Sequence, residues 1–177
     1  EGALLSASPL VVLESAVLTT GLPNRPWDPS WDVALLEAAV PGWDPAAPLG
    51  AELWKRMEET IRKHGATPCS TAVVDGCLHL GLDESIAMRL AEHGAGNKVN
   101  STTMAIGMGT QQCAGTTVSA TLSACRLLLE LASHEHWAPV LATGGIGGVH
   151  RRWTERLDIS ADLLAMANTR ACVVASG

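Results

Sequence analysis

The residues of this chain that could do chemistry gather in three places. The densest is Thr143-Gly144-Gly145-Ile146-Gly147-Gly148-Val149-His150-Arg151, which runs on to Asp158-Ile159-Ser160-Ala161-Asp162-Leu163. Glycine lacks the Cβ that closes off positive φ. A loop with four glycines in five positions can therefore turn several N–H groups toward one anion, phosphate being the usual guest. The same loop would serve equally as a sharp connection under a close-packed helix. After it come a histidine, two arginines and two carboxylates four residues apart, Asp158 and Asp162, the second in the first turn of an expected helix. The second place is Glu14, directly after the apolar run Leu10-Val11-Val12-Leu13. The carboxyl ends of buried strands are where α/β sheets place their chemistry; a surface glutamate closing a strand is the plain alternative. The third is Lys98, the only lysine after Lys63, which reads as either a ligand contact or a solvated side chain. His134-Glu135-His136 imitates a metal pair, but at a helix end this spacing turns the two imidazoles to different faces, so a surface cluster is expected.

Those residues need elements to hold them. Leu10–Leu13 reads as a short buried strand. From Leu49, apolar residues at 49, 53, 57 and 61 predict a helix with Glu58/Arg62 and Glu59/Lys63 paired on its outer face, ended by Gly65. Ser70–Val74 and Cys77–Leu80 flank Asp75-Gly76 as a hairpin. Asp83 caps a helix that stops at Gly94. Lys98-Val99-Asn100 is a loop or short strand, and Thr116 is expected to open a long buried helix to about residue 133. Pro139–Ala142 is a strand leading into the glycine loop, Ser160 caps a helix to about Asn168, and Ala171–Ala175 is a last strand. Strands alternating with helices predict an α/β fold, three-layered around a mainly parallel central sheet. Residues 24–48, where Trp27-Asp28-Pro29, Trp31-Asp32 and Trp43-Asp44-Pro45 recur, read as a Trp/Pro-rich surface insert within a single domain spanning 1–177.

Composition bounds the function. The 177 residues suit one domain with a real core. They are 47% apolar and only 17% charged, which excludes a disordered chain. A net charge of −6 argues against a nucleic-acid surface. No apolar run approaches the roughly 18 residues of a membrane span, and the first dozen residues lack a basic leader, so a cytoplasmic protein is expected. The five cysteines form no C-x-x-C pair, and four or more of them are expected to be small buried hydrophobes. The absence of Phe and Tyr beside six Trp has no physical account.

The motifs VVLESAVLTTGLP, EETIRKHGATPCSTAVVDGCLHLGL, NKV, AGTTVSAT and LATGGIGGVHR, with LDISADL and ANT after it, resemble the pseudouridine-5′-phosphate glycosidase, or indigoidine synthase A, family. The resemblance implies reversible C–C glycosidic bond chemistry between ribose 5-phosphate and uracil, in a homotrimer, with manganese or magnesium. A C–C bond offers no leaving-group oxygen to protonate, so two-carboxylate hydrolysis does not suffice. The family opens the sugar through a lysine Schiff base, an electron sink for the departing carbon. By motif, Glu14 would be the general acid/base. Lys98, Val118, Thr143, His150, Ser160, Ala161 and Asp162 would contact the substrate, with Val118 at a helix start offering backbone donors to phosphate, Thr143 touching the base and His150 lining the sugar pocket. Asp158 would hold the metal, since a hard carboxylate completed by water suits manganese or magnesium. The family's Schiff-base lysine falls shortly beyond Gly177, and family members are longer, so the sheet is expected to be incomplete at its C-terminal end relative to theirs. Two departures bear on the base: the segment after Lys98-Val99 is the uncharged Asn100-Ser101-Thr102-Thr103, and Thr20 replaces a family histidine. The departures leave a uracil C-glycosidase or a C-glycosynthase of the antibiotic-pathway kind with another aromatic acceptor; the position of the family lysine adds two more readings, an inactive phosphosugar-binding subunit and a structural fragment docking its open sheet on a partner.

Overall fold

A computed structural model of the chain describes residues 8–22, 34, 38, 41–42, 44, 46–132 and 138–177. Most of the Trp/Pro-rich insert, and all of His134-Glu135-His136, lie outside the described residues. Leu10–Leu13 forms β1 at the middle of the sheet, paired in parallel with β2 (Thr67–Val74) on one side and β6 (Val140–Thr143) on the other. A strand buried between two parallel neighbours and covered on both faces needs a continuous apolar run, and this is what Leu10–Leu13 supplies. Among the described residues the strand order is β4-β5-β2-β1-β6-β7, with β3 (Cys77–Leu80) paired to β2. The outer strands are β4 (Lys98–Val99), β5 (Ala114–Thr116) and β7 (Cys172–Ala175).

Helices cover both faces, which gives the three layers. On one side lie α1 (Leu49–Lys63), α2 (Glu84–His93) and a π-helical turn at Val17–Gly21; Leu18, Trp54, Leu82 and Leu90 pack there with Ala72 and Val74 of β2. On the other, α4 (Val118–Ala132) and α6 (Ala161–Asn168) enclose Leu10, Val12, Cys69 and Leu141 with Val118, Leu122, Cys125 and Leu128. Two short helices, α3 (Met104–Gly109) and α5 (Trp153–Arg156), complete the described chain. No helix among the described residues is long and apolar enough to cross a membrane.

Four expectations need correction. Thr116 closes β5 instead of opening a helix, and α4 begins at Val118; Ala-Gly-Thr has little intrinsic strand preference, and it is extended because β2 and β4 pair with it. The buried stripe of α1 runs through Ala51, Trp54 and Glu58, with Leu53, Met57 and Ile61 only partly buried beside it. Glu58 is accordingly not on the outer face: it is 2% exposed and accepts hydrogen bonds from Trp54 Nε1 (3.0 Å), Ser70 Oγ (2.9 Å) and Arg62 Nη2 (2.6 Å). Of the five free cysteines only Cys69 and Cys125 are buried. Burial pushes those two thiols up to about 11 and about 12, so they stay protonated as small hydrophobes, whereas Cys77 and Cys172 are exposed on strands whose faces are not covered at those positions.

Candidate functional site

The site is built at the carboxyl ends of the parallel strands. Register pairs Leu13 of β1 with Ala142 of β6, so the next residues along, Glu14 and Thr143, stand side by side. The Thr143 hydroxyl donates a short hydrogen bond to Glu14 Oε1. Immediately after Glu14 the chain dives into the protein. Ser15 is fully buried, and its hydroxyl donates to Thr71 O at 2.5 Å and accepts from Thr116 N at 3.0 Å. The Thr71 hydroxyl meets those of Thr116 at 2.7 Å and Thr121 at 3.0 Å, tying β1, β2, β5 and α4 together through groups that have no water to turn to. Gly115 admits this arrangement: a Cβ there would lie 2.5 Å from Ser15 O and 2.7 Å from Ala16 Cα.

The glycine loop is held by Asp162. Ser160 caps α6, its Oγ accepting from Asp162 N at 3.2 Å, and the Asp162 carboxylate faces back across the site. One oxygen accepts from Ser119 N at the start of α4, the other from Gly147 N in the loop, each at 2.9 Å. Gly147 must be glycine for this contact, because its Cβ would lie 2.1 Å from Ser160 Oγ. Elsewhere in the loop, Ile146 N donates to Gly177 O and Gly145 N to the Thr143 hydroxyl. The loop amides are thus largely spent on the chain's own acceptors, and the loop forms a wall of the site more than an anion cradle. Between two spent amides at the head of α4, Thr117 N to Val99 O and Ser119 N to Asp162, lies Val118.

These elements enclose a polar cavity of about 490 Å³. Glu14, Lys98, Val118 and His150 line it, as do Ser160, Ala161 and Asp162. Seven of the nine residues singled out in the sequence therefore share one cavity. A second, largely apolar cavity of about 520 Å³ lies against it, walled by Leu13, Val17, Leu53, Met57 and Ile61, and here Thr143 contributes beside Glu14. Glu14 belongs to both. Its carboxyl is held above the usual carboxylate range, first by burial; the Thr143 hydrogen bond opposes this, the nearby Asp162 charge adds to it, and Lys98 opposes it.

Asp158 lines neither cavity. It is exposed, and its backbone oxygen accepts from His150 N at 3.1 Å. Among the described residues no three His, Cys, Asp or Glu side chains come together as a metal cluster. One exposed carboxylate fits a water-rich magnesium or manganese ion, and does not fit a closed zinc site. Sequence reasoning passed over Asn100, Thr117 and Ser119 as lining residues. Asn100 lay in view as part of an uncharged segment; its Oδ1 accepts from the amides of Thr102 and Thr103, both at 2.9 Å, which makes that segment a self-satisfied turn on the cavity rim. Thr20 likewise satisfies itself, donating to Ala16 O at 2.7 Å.

Residues 32–177 match the family model described as indigoidine synthase A like protein. The chain belongs to that family. Curated relatives include the pseudouridine-5′-phosphate glycosidase of Thermus thermophilus, 38% identical over 96% of this chain and 48% of its own length. That of Roseobacter denitrificans is 36% identical over 96% of this chain and 44% of its own. The chain thus spans about half the length of the curated relatives it matches. Among solved structures, it is similar to the prealnumycin C-glycosynthase AlnA in complex with ribulose 5-phosphate, with TM-score 0.67 and 29% identity over 99% of this chain and 47% of that one. An indigoidine synthase A like protein from Thermotoga maritima gives TM-score 0.68 and 28% identity over 96% of this chain and 46% of that one. The family assignment and the mainly parallel α/β fold agree with the motifs that suggested them.

Proposed function

We propose that this chain carries the acid/base half of a C-glycosidic bond lyase/synthase, which joins or splits ribose 5-phosphate and a carbon-nucleophile base. The observation that supports this best is Glu14: a half-buried carboxyl that favours its proton, shared between a polar cavity and an apolar one. Such a group can protonate the carbon of a base leaving a sugar, and take that proton back in the synthetic direction. The polar cavity would take the phosphosugar. Lys98 supplies a cation for phosphate or sugar oxygen, Val118 a backbone donor at the head of α4, and His150, Ser160, Ala161 and Asp162 the walls. Thr143 stands on the base side. The Schiff-base amine would be a lysine that the family resemblance puts shortly after the strand matched by β7. A divalent ion, manganese or magnesium, would be held by Asp158, outside the polar cavity and next to its lining residue Ile159, with water in its other positions through which its positive charge would act when bound.

The apolar cavity favours one refinement. Walls of Leu13, Val17, Leu53, Met57 and Ile61 suit an aromatic carbon nucleophile less polar than uracil, as in a C-glycosynthase. The test incubates the protein, in its full natural length and with manganese, with ribose 5-phosphate and either uracil or an electron-rich aromatic phenol. A C-nucleotide or C-glycoside product is expected, and borohydride should trap the sugar on a lysine. No adduct with any acceptor sinks the proposal. Calorimetric binding of ribose 5-phosphate without turnover would instead indicate a phosphosugar-binding subunit.

A further inference from the structure

The Thr143 hydroxyl sits among three polar groups at once. It contacts Glu14 Oε1, lies 3.0 Å from the Gly145 carbonyl oxygen as a donor, and accepts from Gly145 N at 3.3 Å. A hydroxyl has one proton and two lone pairs, so it cannot donate to Glu14 and to Gly145 O together. Which acceptor it serves must depend on whether Glu14 already carries a proton. We propose that Thr143 is a two-way hydroxyl switch, which keeps Glu14 hydrogen-bonded in both protonation states and passes that state on to the glycine loop.

The switch is a rotation about one C–O bond. With Glu14 ionised, the Thr143 proton points to Oε1. When Glu14 gains a proton, the new O–H donates into the Thr143 oxygen, and the Thr143 proton turns to Gly145 O. No proton leaves Thr143, and the Gly145 amide can use the remaining lone pair throughout. An acid/base group must visit both states in each turnover, and a partner that could only donate would be lost in one of them, leaving a group stranded. Threonine also suits the position mechanically, since its β-branch restricts χ1 and keeps the oxygen between its partners at the end of β6. The reported state matters because Gly145 lines the polar cavity: each proton on Glu14 rewrites the hydrogen bonding of a wall peptide. The other charged groups around Glu14 are Lys98 of β4, Asp162 of α6 and His150 of the loop, all in the polar cavity, and Arg56 of α1 in the apolar one. None of them bonds to Gly145. The role of Glu14 as the reaction's acid/base rests on the function proposed above; the switch itself does not.

The experiment is an NMR titration of the isotopically labelled protein, following the Glu14 side-chain carboxyl carbon together with the amide nitrogen of Ile146, which is bonded to the Gly145 carbonyl. Both should titrate with one midpoint. Thr143→Ser should keep them coupled. In Thr143→Val, Glu14 should still titrate, with its midpoint moved up by the lost donor, while Ile146 stays flat. Glu14→Gln should leave Ile146 flat at every pH, and serves if the valine variant does not fold. An Ile146 signal that ignores the Glu14 transition in the wild type, or that follows it equally in the valine variant, overturns the proposal. Because no turnover is measured, an absence of C-glycosidic activity refutes the function and leaves this result standing.

Discussion

At the scale of single residues, Glu14 and Asp162 show two opposite uses of a carboxylate. Glu14 is destabilising when charged: with its folded-state affinity for protons raised above the ordinary 4.5, it contributes stability below that value and loses it as pH rises through the raised one. Glu14→Gln should therefore raise stability at pH 7, and only slightly, because solvent screens a half-buried group; if Glu14 is the acid/base proposed above, the same substitution should abolish turnover. The gain should vanish in thermal melts run below the ordinary carboxylate range, and a variant less stable than wild type at pH 7 would contradict this. Asp162 is the reverse, a carboxylate whose charge is used structurally. Asp162→Ala strands two amides, Ser119 N and Gly147 N, at about 1–3 kcal/mol each; Asp162→Asn retains one acceptor oxygen and should recover about half. Urea denaturation midpoints check both. The sequence marked Asp162 as part of a site, but not as a clasp. Its partner at the head of α4 lies 43 residues away, and no local pattern encodes that pairing.

At the scale of elements, what was legible depended on whether an element is held by its own sequence. Strands β1 and β6, the capped helices α2 and α6, and the Asp75-Gly76 hairpin carry local signals, and they fall where those signals put them. Strand β5 and the π-helical turn carry none; their backbone groups are satisfied from elsewhere, Thr116 O by Ser15 N and Thr19 O by Gly96 N. Helix α1 was placed correctly but rotated, because the leucine spacing outweighed a tryptophan and a glutamate in the reading. That rotation is testable. Glu58→Ala removes the acceptor for Trp54, Ser70 and Arg62 between α1 and β2; Arg62 is itself 58% exposed, so the cost should be about 1–3 kcal/mol for each of the two buried donors stranded, Trp54 Nε1 and Ser70 Oγ. Glu59→Ala, one residue on and exposed, should stay within about 0.5 kcal/mol. The difference between the two melts reads the helix face directly. Gly115→Ala probes the β5 approach: its Cβ meets backbone at Ser15 and Ala16, which has no flexible side chain to yield. It should displace Glu14 and lower activity more than its cost in stability would suggest.

At the scale of the whole molecule, the cavity side and the late part of the chain are unlike in surface character. Among the described residues, Val149, Trp153, Leu157, Ile159, Leu164 and Val174 leave large apolar side chains in solvent, Leu157 at 78% and Leu164 at 70% exposure. Trp153, Leu164 and Val174 lie on α5, α6 and β7, and Val149, Leu157 and Ile159 in the segments between the glycine loop and α6. Apolar surface of this kind on a folded protein marks contact with another surface. Another copy of the chain is one candidate for that surface. If copies of the chain meet here, Leu157→Glu with Leu164→Glu should shift sedimentation toward the monomer and leave the far-ultraviolet circular dichroism unchanged, since neither side chain supports the core. Loss of activity along with assembly would place the contact next to the site, as the position of α5 between His150 and Asp158 requires. A wild-type protein that sediments as a monomer under assay conditions and is fully active would remove the face from any role in assembly. The exposed leucines would then need a different partner, while the glycine loop beside them would keep its own supports, Asp162, Thr143, Ser160 and the Gly177 carbonyl.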